Sequence, residues 1–293
     1  MAKADRNGQQ SARQRIAAQQ EAARRAEARR RLLLGGGAVA VVLVVVVVFI
    51  VLKVSQSPST AEKAATKQPV TGTALPASVA ADVTGVPVSA LAAVGKGSTV
   101  TAALRPISGP PLTAGGKPEM LYIGAEFCPY CAAMRWAMAV ALSRFGTLSP
   151  LRGIRSAPSP EVYPSTATLT FYKSGYASKY LAFAPVENET VTHATLQTPT
   201  PQQQAIWNKY DANSYPFIDF GNKYLATVSY DPQVLQGLTW SQIAADLSKP
   251  SSPVARGVLG SANLMTAAIC KLTSNQPAGV CSAPPVTSLE GSL

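Results

Sequence analysis

Residues 32 to 52 (LLLGGGAVAVVLVVVVVFIVL) carry no charge over 21 positions, and this run constrains the chain more than any other stretch. As a helix it rises about 1.5 Å per residue, just enough to cross a bilayer core of roughly 30 Å. Its length argues against a buried strand, since strands rarely exceed about ten residues. The sequence therefore predicts one transmembrane helix over 32–52. Ahead of it, residues 1–31 hold nine Lys or Arg against Asp5, Glu21 and Glu27, a net +6 of the chain's +11. The positive-inside bias keeps such a tail in the cytoplasm and puts the rest of the chain outside, in a cell membrane crossed once. A cleaved signal peptide fits less well: the charged region and the apolar run are both too long, and no small-x-small cleavage site follows. Basic residues beside a span set orientation and touch anionic lipid, so membrane lipid is the expected partner of the tail, and nucleic acid is not.

Residues 53–76 are rich in Ser, Thr, Ala, Lys and Pro without sustained apolar period, and read as a flexible linker. A single folded domain is expected over 77–283, followed by a polar tail at 284–293. Within the domain, Glu119 to Phe127 reads as a central strand behind the turn at 115–118. A helix follows directly. Met134, Ala137, Met138, Ala141, Leu142 and Phe145 recur with the period of one buried helical face. Strands are expected at Thr168–Tyr172 and Lys179–Phe183, and helices at Gln202–Tyr210 and Trp240–Leu247. Phe217–Phe220 and Lys223–Val228 read as a hairpin around Gly221-Asn222. Interleaved strands and helices make the domain α/β. The polar stretch Val186 to Pro201 reads as the connection from an inserted helical piece to the sheet.

The four cysteines form two pairs, Cys128-Pro129-Tyr130-Cys131 and Cys270 with Cys281. The first pair opens a helix, where free backbone N–H groups and the helix dipole favour a Cys128 thiolate. Pro129 suits the first helical turn. Cys131, one turn on and more buried, is placed to displace a mixed disulfide, which makes Cys128 the attacking nucleophile and Cys131 the resolving thiol. A zinc site would need a second close pair, and ten residues separate Cys270 from Cys281, so no metal is expected. A c-type haem would need His where Ala132 stands. No cofactor is indicated. The single histidine, His193, lies in a polar Thr-rich segment and reads as a surface residue, which weighs against a Cys/His hydrolase. For Cys270 and Cys281 two readings stand, a structural disulfide or a relay passing electrons to or from the first pair.

The run Ala125-Glu126-Phe127-Cys128-Pro129-Tyr130-Cys131 at a strand-to-helix junction resembles the thioredoxin superfamily, and Cys-Pro-Tyr-Cys is the motif typical of glutaredoxins. Tyr215-Pro216 before the strand Phe217–Phe220 resembles the superfamily's cis-proline loop. The resemblance implies a thioredoxin-like fold with a helical insertion, in which Tyr215, Pro216, Pro129 and Tyr130 contact substrate. From residue 32 onward, including the late Cys270 to Cys281 segment, the layout resembles a bacterial family of membrane-anchored thioredoxin-like proteins described as a domain of unknown function. One departure bears on mechanism. Thioredoxins keep an acidic residue six positions before the first cysteine, and here Tyr122 stands there; Glu126, expected at the surface, is the substitute proton acceptor.

These readings give an expected function: a membrane-anchored, extracytoplasmic thiol-disulfide oxidoreductase acting on protein thiols or disulfides, with an unidentified redox partner. The alternative is a redox-inactive thioredoxin-like binding or scaffold module of a cell-envelope complex.

Overall fold

The computed structural model describes residues 72–211 and 213–293. The basic tail, the expected transmembrane helix at 32–52 and the expected linker up to residue 71 lie outside the described residues. Among the described residues no single helix is long and apolar enough to cross a membrane.

In chain order the elements are β1 (Thr73–Ala74), α1 (Ala77–Thr84), α2 (Val88–Val94), β2 (Leu104–Pro106), β3 (Thr113–Ala114), β4 (Lys117–Gly124) and α3 (Pro129–Ser143). Then come β5 (Gly146–Ser149), β6 (Arg152–Arg155), β7 (Ala167–Thr170), β8 (Gly175–Ser178), β9 (Ala182–Glu187) and α4 (Pro201–Asp211). The chain closes with β10 (Phe217–Phe220), β11 (Tyr224–Ala226), α5 (Trp240–Leu247), α6 (Pro253–Leu272), α7 (Ala278–Cys281) and α8 (Pro284–Glu290). The fold is mixed α/β. Its main sheet runs β2–β11–β10–β4–β9, with β9 parallel to β4 and the other neighbours antiparallel, while β3 folds back on the start of β4.

Side chains on adjacent strand positions point to opposite faces, so β4 feeds two cores at once. Met120 and Tyr122 join Ile218 and Phe220 in the larger core, with α3, α5 and α6. Leu121 and Ile123 join Phe217 and Leu225 in the smaller one, which Trp207 of α4 covers. Helix α3 runs through the larger core and is buried on every side from Cys131 to Leu142. The sequence had assigned it one buried face, but Ala133, Ala139 and Val140 are enclosed as well, because β7 and α6 pack on it from other directions. A helix that is apolar all round belongs in such a place. The β10–β11 hairpin turns through Gly221 and Asn222, with φ of 64° and 58°; positive φ at both central positions matches the strand twist.

Three expectations change. The insertion between α3 and β10 is made mainly of strands, with α4 its one helix among the described residues. β6 and β7 extend a small sheet begun by β1, and β5 pairs with β8. β7 matches the strand expected at Thr168–Tyr172, the four-residue stretches of β5, β6 and β8 gave no strong period, and β9 continues through Val186 and Glu187 into the stretch read as a connection. Strand β1 pairs Thr73 with Gly153 and Ala74 with Arg152, so folded structure begins before residue 77. The segment read as a polar tail contains α8, whose Val286 and Leu289 are buried against the larger core. Valine and leucine three apart give a short helix one apolar edge, enough to dock it.

Cys270, in the last turn of α6, and Cys281, at the end of α7, form a disulfide across 11 residues, and both are buried. Closing a loop of that length restricts the unfolded chain and stabilises the fold by about 2–3 kcal/mol. Replacing both cysteines by serine is expected to lower the denaturant midpoint correspondingly. An unchanged midpoint would show that the link adds nothing to the native state.

Candidate functional site

β4 ends at Gly124, and the chain passes through Ala125, Glu126 and Phe127 to Cys128, the N-cap of α3. Pro129 occupies the first helical position, where its missing N–H is not needed. The Cys128 Sγ accepts the backbone N–H of Cys131 at 3.1 Å. Cys128 is 4% exposed and Cys131 fully buried, and the two are free thiols. Their environments pull them apart. Hydrogen bonding from the Cys131 side chain, then from backbone N–H groups, and the charge of Arg135 bring the Cys128 thiol below its ordinary range, against the opposing effect of burial. Burial pushes the Cys131 thiol well up, and its hydrogen bond to Cys128 pushes it further. The Cys128 thiol is thus the more acidic of the two, and the Cys131 thiol the less.

The antiparallel register that sets Phe217 opposite Ile123 brings the start of β10 beside the end of β4. Tyr215 accordingly packs against the cluster formed by Ala125, Cys128 and Cys131, with Phe127 on its rim. The Tyr215–Pro216 peptide is cis, as the resemblance implied, and Pro216 is buried. The Tyr215 hydroxyl donates to Glu189 Oε1 at 3.1 Å and accepts from Asn188 Nδ2, while its ring lies against Trp207. His193, at the surface as expected, stacks on Phe127 with ring centroids 3.9 Å apart, and its Nδ1 lies 3.8 Å from Glu189 Oε2. Tyr130 is 39% exposed and meets Tyr163 edge to face, so it forms the outer lip of the dithiol.

Beneath the sulfurs the structure corrects one expectation outright. Glu126 is fully buried. Its Oε1 accepts the Thr170 hydroxyl at 2.9 Å, its Oε2 has no protein partner, and burial raises its pKa to about 7. The residue looked exposed because it lies between a strand end and a helix cap; β7 and β9, which cover it, arrive from distant sequence. Beside it, Arg135 is fully buried and grips Glu187 of β9 through two hydrogen bonds, Nε to Oε1 at 2.9 Å and Nη2 to Oε2 at 2.6 Å. Nη2 also donates to the Ala125 carbonyl at 2.7 Å, the same oxygen that accepts the Cys128 N–H at 3.2 Å. The remaining Arg135 nitrogen, Nη1, has no partner, nor has the buried Tyr122 hydroxyl. Gly124 leaves the space that Tyr122 uses: a Cβ there would collide with the Tyr122 Oη.

The sequence reading passed over Arg135 and Glu187. Arg135 did leave a signal, as the one charge in the 15 residues of α3, in the middle of an apolar helix. Glu187 left none, since its neighbours Asn188 and Glu189 make it look like part of a polar loop.

A family model described as a domain of unknown function (DUF929) matches residues 104–271, more than half of the chain. The chain belongs to the DUF929 family. The matched span of this DUF929 protein runs from β2 into the last turn of α6, and so includes Cys128, Cys131, Arg135, Glu187, Tyr215 and Pro216. No curated protein and no solved structure matches the chain.

The second cysteine pair lies elsewhere in this DUF929 protein. Leu272, two residues after Cys270, packs at Gly221, at the end of β10 remote from Tyr215 and the dithiol. In this conformation the Cys270–Cys281 bond sits in the larger core, and the dithiol in its own cluster.

Proposed function

We propose that this chain is a thiol-disulfide oxidoreductase of thioredoxin-like fold, tethered to a membrane by residues 32–52 and acting on extracytoplasmic protein thiols or disulfides. The observation that carries the reading is the unequal pair at the head of α3: an N-capping Cys128 sulfur that accepts the Cys131 N–H, and a fully enclosed Cys131. Supporting it, the dithiol helix follows β4, which pairs in parallel with β9 on one side and antiparallel with β10 on the other, and Tyr215, just ahead of β10, packs on the dithiol cluster. The buried Cys270–Cys281 disulfide agrees with an oxidising compartment, and the basic tail with a cytoplasmic N-terminus. With a client disulfide the Cys128 thiolate attacks and Cys131 then displaces the client from the mixed disulfide; the same two exchanges run in reverse oxidise a client dithiol. Glu126 is the proposed proton acceptor, its pKa of about 7 suited to that exchange near neutral pH.

The full-length protein at catalytic amounts is expected to accelerate thiol-disulfide exchange in a protein substrate. Cys128→Ser should return the rate to background. Cys131→Ala should accumulate a mixed disulfide on Cys128, visible as an added mass that reductant removes.

The small exposure of Cys128 favours a rival, a redox-inactive binding or scaffold module in which the pair only holds structure. That reading requires wild-type protein without exchange activity and a Cys131→Ala variant that captures nothing.

A further inference from the structure

A buried ion pair, Arg135 with Glu187, lies in the helix that carries the two sulfurs and in the strand beside it. Arg135 is one helical turn beyond Cys131 and two beyond Cys128, and it is enclosed completely. Its place is set by covalent neighbours and by a shared acceptor: the Ala125 carbonyl takes the Cys128 N–H from one side and Arg135 Nη2 from the other. Glu187 holds the guanidinium from the side of β9, through Nε and Nη2, which leaves Nη1 as a buried donor with nothing to bond. Burying an arginine costs several kcal/mol unless something returns it, and a donor left idle adds to that cost. The guanidinium lies over the Tyr122 ring, 5.9 Å from its centroid, and hydrogen-bonds to neither sulfur, so what it offers them from one and two helical turns away is charge.

We propose that Arg135 is a positioning charge that stabilises the Cys128 thiolate of the reduced pair and the departing Cys131 sulfur, and thereby makes the Cys128–Cys131 disulfide an acceptor of electrons, so that the clients of this site are reduced protein dithiols. The proposal rests on the oxidoreductase reading above and gives it a direction.

The chemistry balances as two exchanges. A client thiolate attacks Cys128 Sγ of the oxidised pair; the Cys128–Cys131 bond breaks, and Cys131 leaves as a thiolate that then takes a proton, from Glu126 in its protonated form. The second client thiolate attacks the client sulfur of the mixed disulfide; the client disulfide forms, and Cys128 leaves as a thiolate. Two electrons pass to the pair, and a disulfide-bearing partner restores it by the reverse exchange. Cys131 departs into a fully buried site, where an uncompensated anion is costly, and Arg135 one turn away is the cation that offsets it. Stabilising the reduced form in this way makes the disulfide more oxidising.

The test equilibrates full-length protein with glutathione buffers at pH 7, traps free thiols by alkylation and reads Cys128 and Cys131 at the peptide level. Arg135→Met with Glu187→Gln removes both charges and leaves no unpaired carboxylate. Its equilibrium constant for reduction by glutathione is expected to fall by about tenfold or more, which is about 30 mV for a two-electron couple. Arg135→Lys keeps the charge and loses the fork; it is expected to lower thermal stability yet hold the constant within about threefold of wild type. Oxidised wild-type protein in stoichiometric amount should also put disulfides into a reduced, unfolded client.

An unchanged constant in the double variant overturns the proposal. So does an equal fall in Arg135→Lys, which would make the residue structural alone, and so does failure to oxidise the client. If wild-type Cys128 and Cys131 do not exchange with glutathione at all, the oxidoreductase reading itself fails, and this one with it.

Discussion

Stability is expected to fall by several kcal/mol as pH rises from about 4 to 8, the opposite of the usual gain as surface carboxylates ionise. Two enclosed carboxyl groups produce this. Burial raises Glu126 to about 7, with Glu187 and Arg135 facing it, and raises Asp219 of β10 to about 7, with Glu119 nearby. Asp219 accepts one hydrogen bond, from the Asn222 N–H at 2.7 Å to Oδ1, and its Oδ2 has no partner. In the unfolded chain both groups lose their protons near pH 4, while in the fold they keep them to about pH 7. Between those limits the folded state binds more protons than the unfolded, so the slope of unfolding free energy against pH is negative. The stability contributed by each is complete below the unfolded pKa and lost as pH rises through the folded one. Each group accounts for about 3 kcal/mol over that window. Urea denaturation at steps of pH should show the decline, and Glu126→Gln with Asp219→Asn should flatten it. A flat or rising wild-type profile would mean that both carboxyls ionise normally in the fold.

Arg135→Met alone is expected to cost about 3–5 kcal/mol, because it leaves the Glu187 carboxylate buried without its cation. Glu187→Gln alone strands the guanidinium and costs a comparable amount, although the Phe171 N–H, which Glu187 Oε1 accepts at 3.0 Å, keeps an acceptor. The double variant should be more stable than the sum of the two losses by about 1–3 kcal/mol, the coupling of a pair in direct contact. Additive losses would mean that the two charges do not depend on each other, and would weaken the picture of Arg135 as a cation held in place for the sulfurs.

What the sequence disclosed about this molecule follows from how far its information travels along the chain. The strand before Cys128, the helix after it and the Gly221-Asn222 hairpin were legible because each depends on residues within a dozen positions: a periodic apolar pattern, a proline at a helix start, a turn pair suited to positive φ. The Cys128 cap is local too. What lies under the sulfurs is not. Glu126 is buried by Thr170 and Glu187, which are 44 and 61 residues further on, and its surroundings in sequence are those of an exposed junction. Glu187 reaches Arg135 only because β9 runs parallel to β4 and ends beside Gly124. β7 was legible as Thr168–Tyr172, but β5, β6 and β8 were missed because each is four residues long, too short for alternation to stand out, and gains its stability from pairing with distant strands.

The central claim is that Cys128 and Cys131 are chemically unequal, one an exchangeable nucleophile and the other a guarded thiol. The direct measurement is the rate of alkylation of each cysteine in reduced full-length protein across pH 5 to 10, read by peptide mass. Cys128 is expected to react with a midpoint below the ordinary thiol value of about 8.5, while Cys131 remains unmodified until well above it. Two cysteines that react alike, or a Cys128 midpoint at or above the ordinary value, would contradict the account.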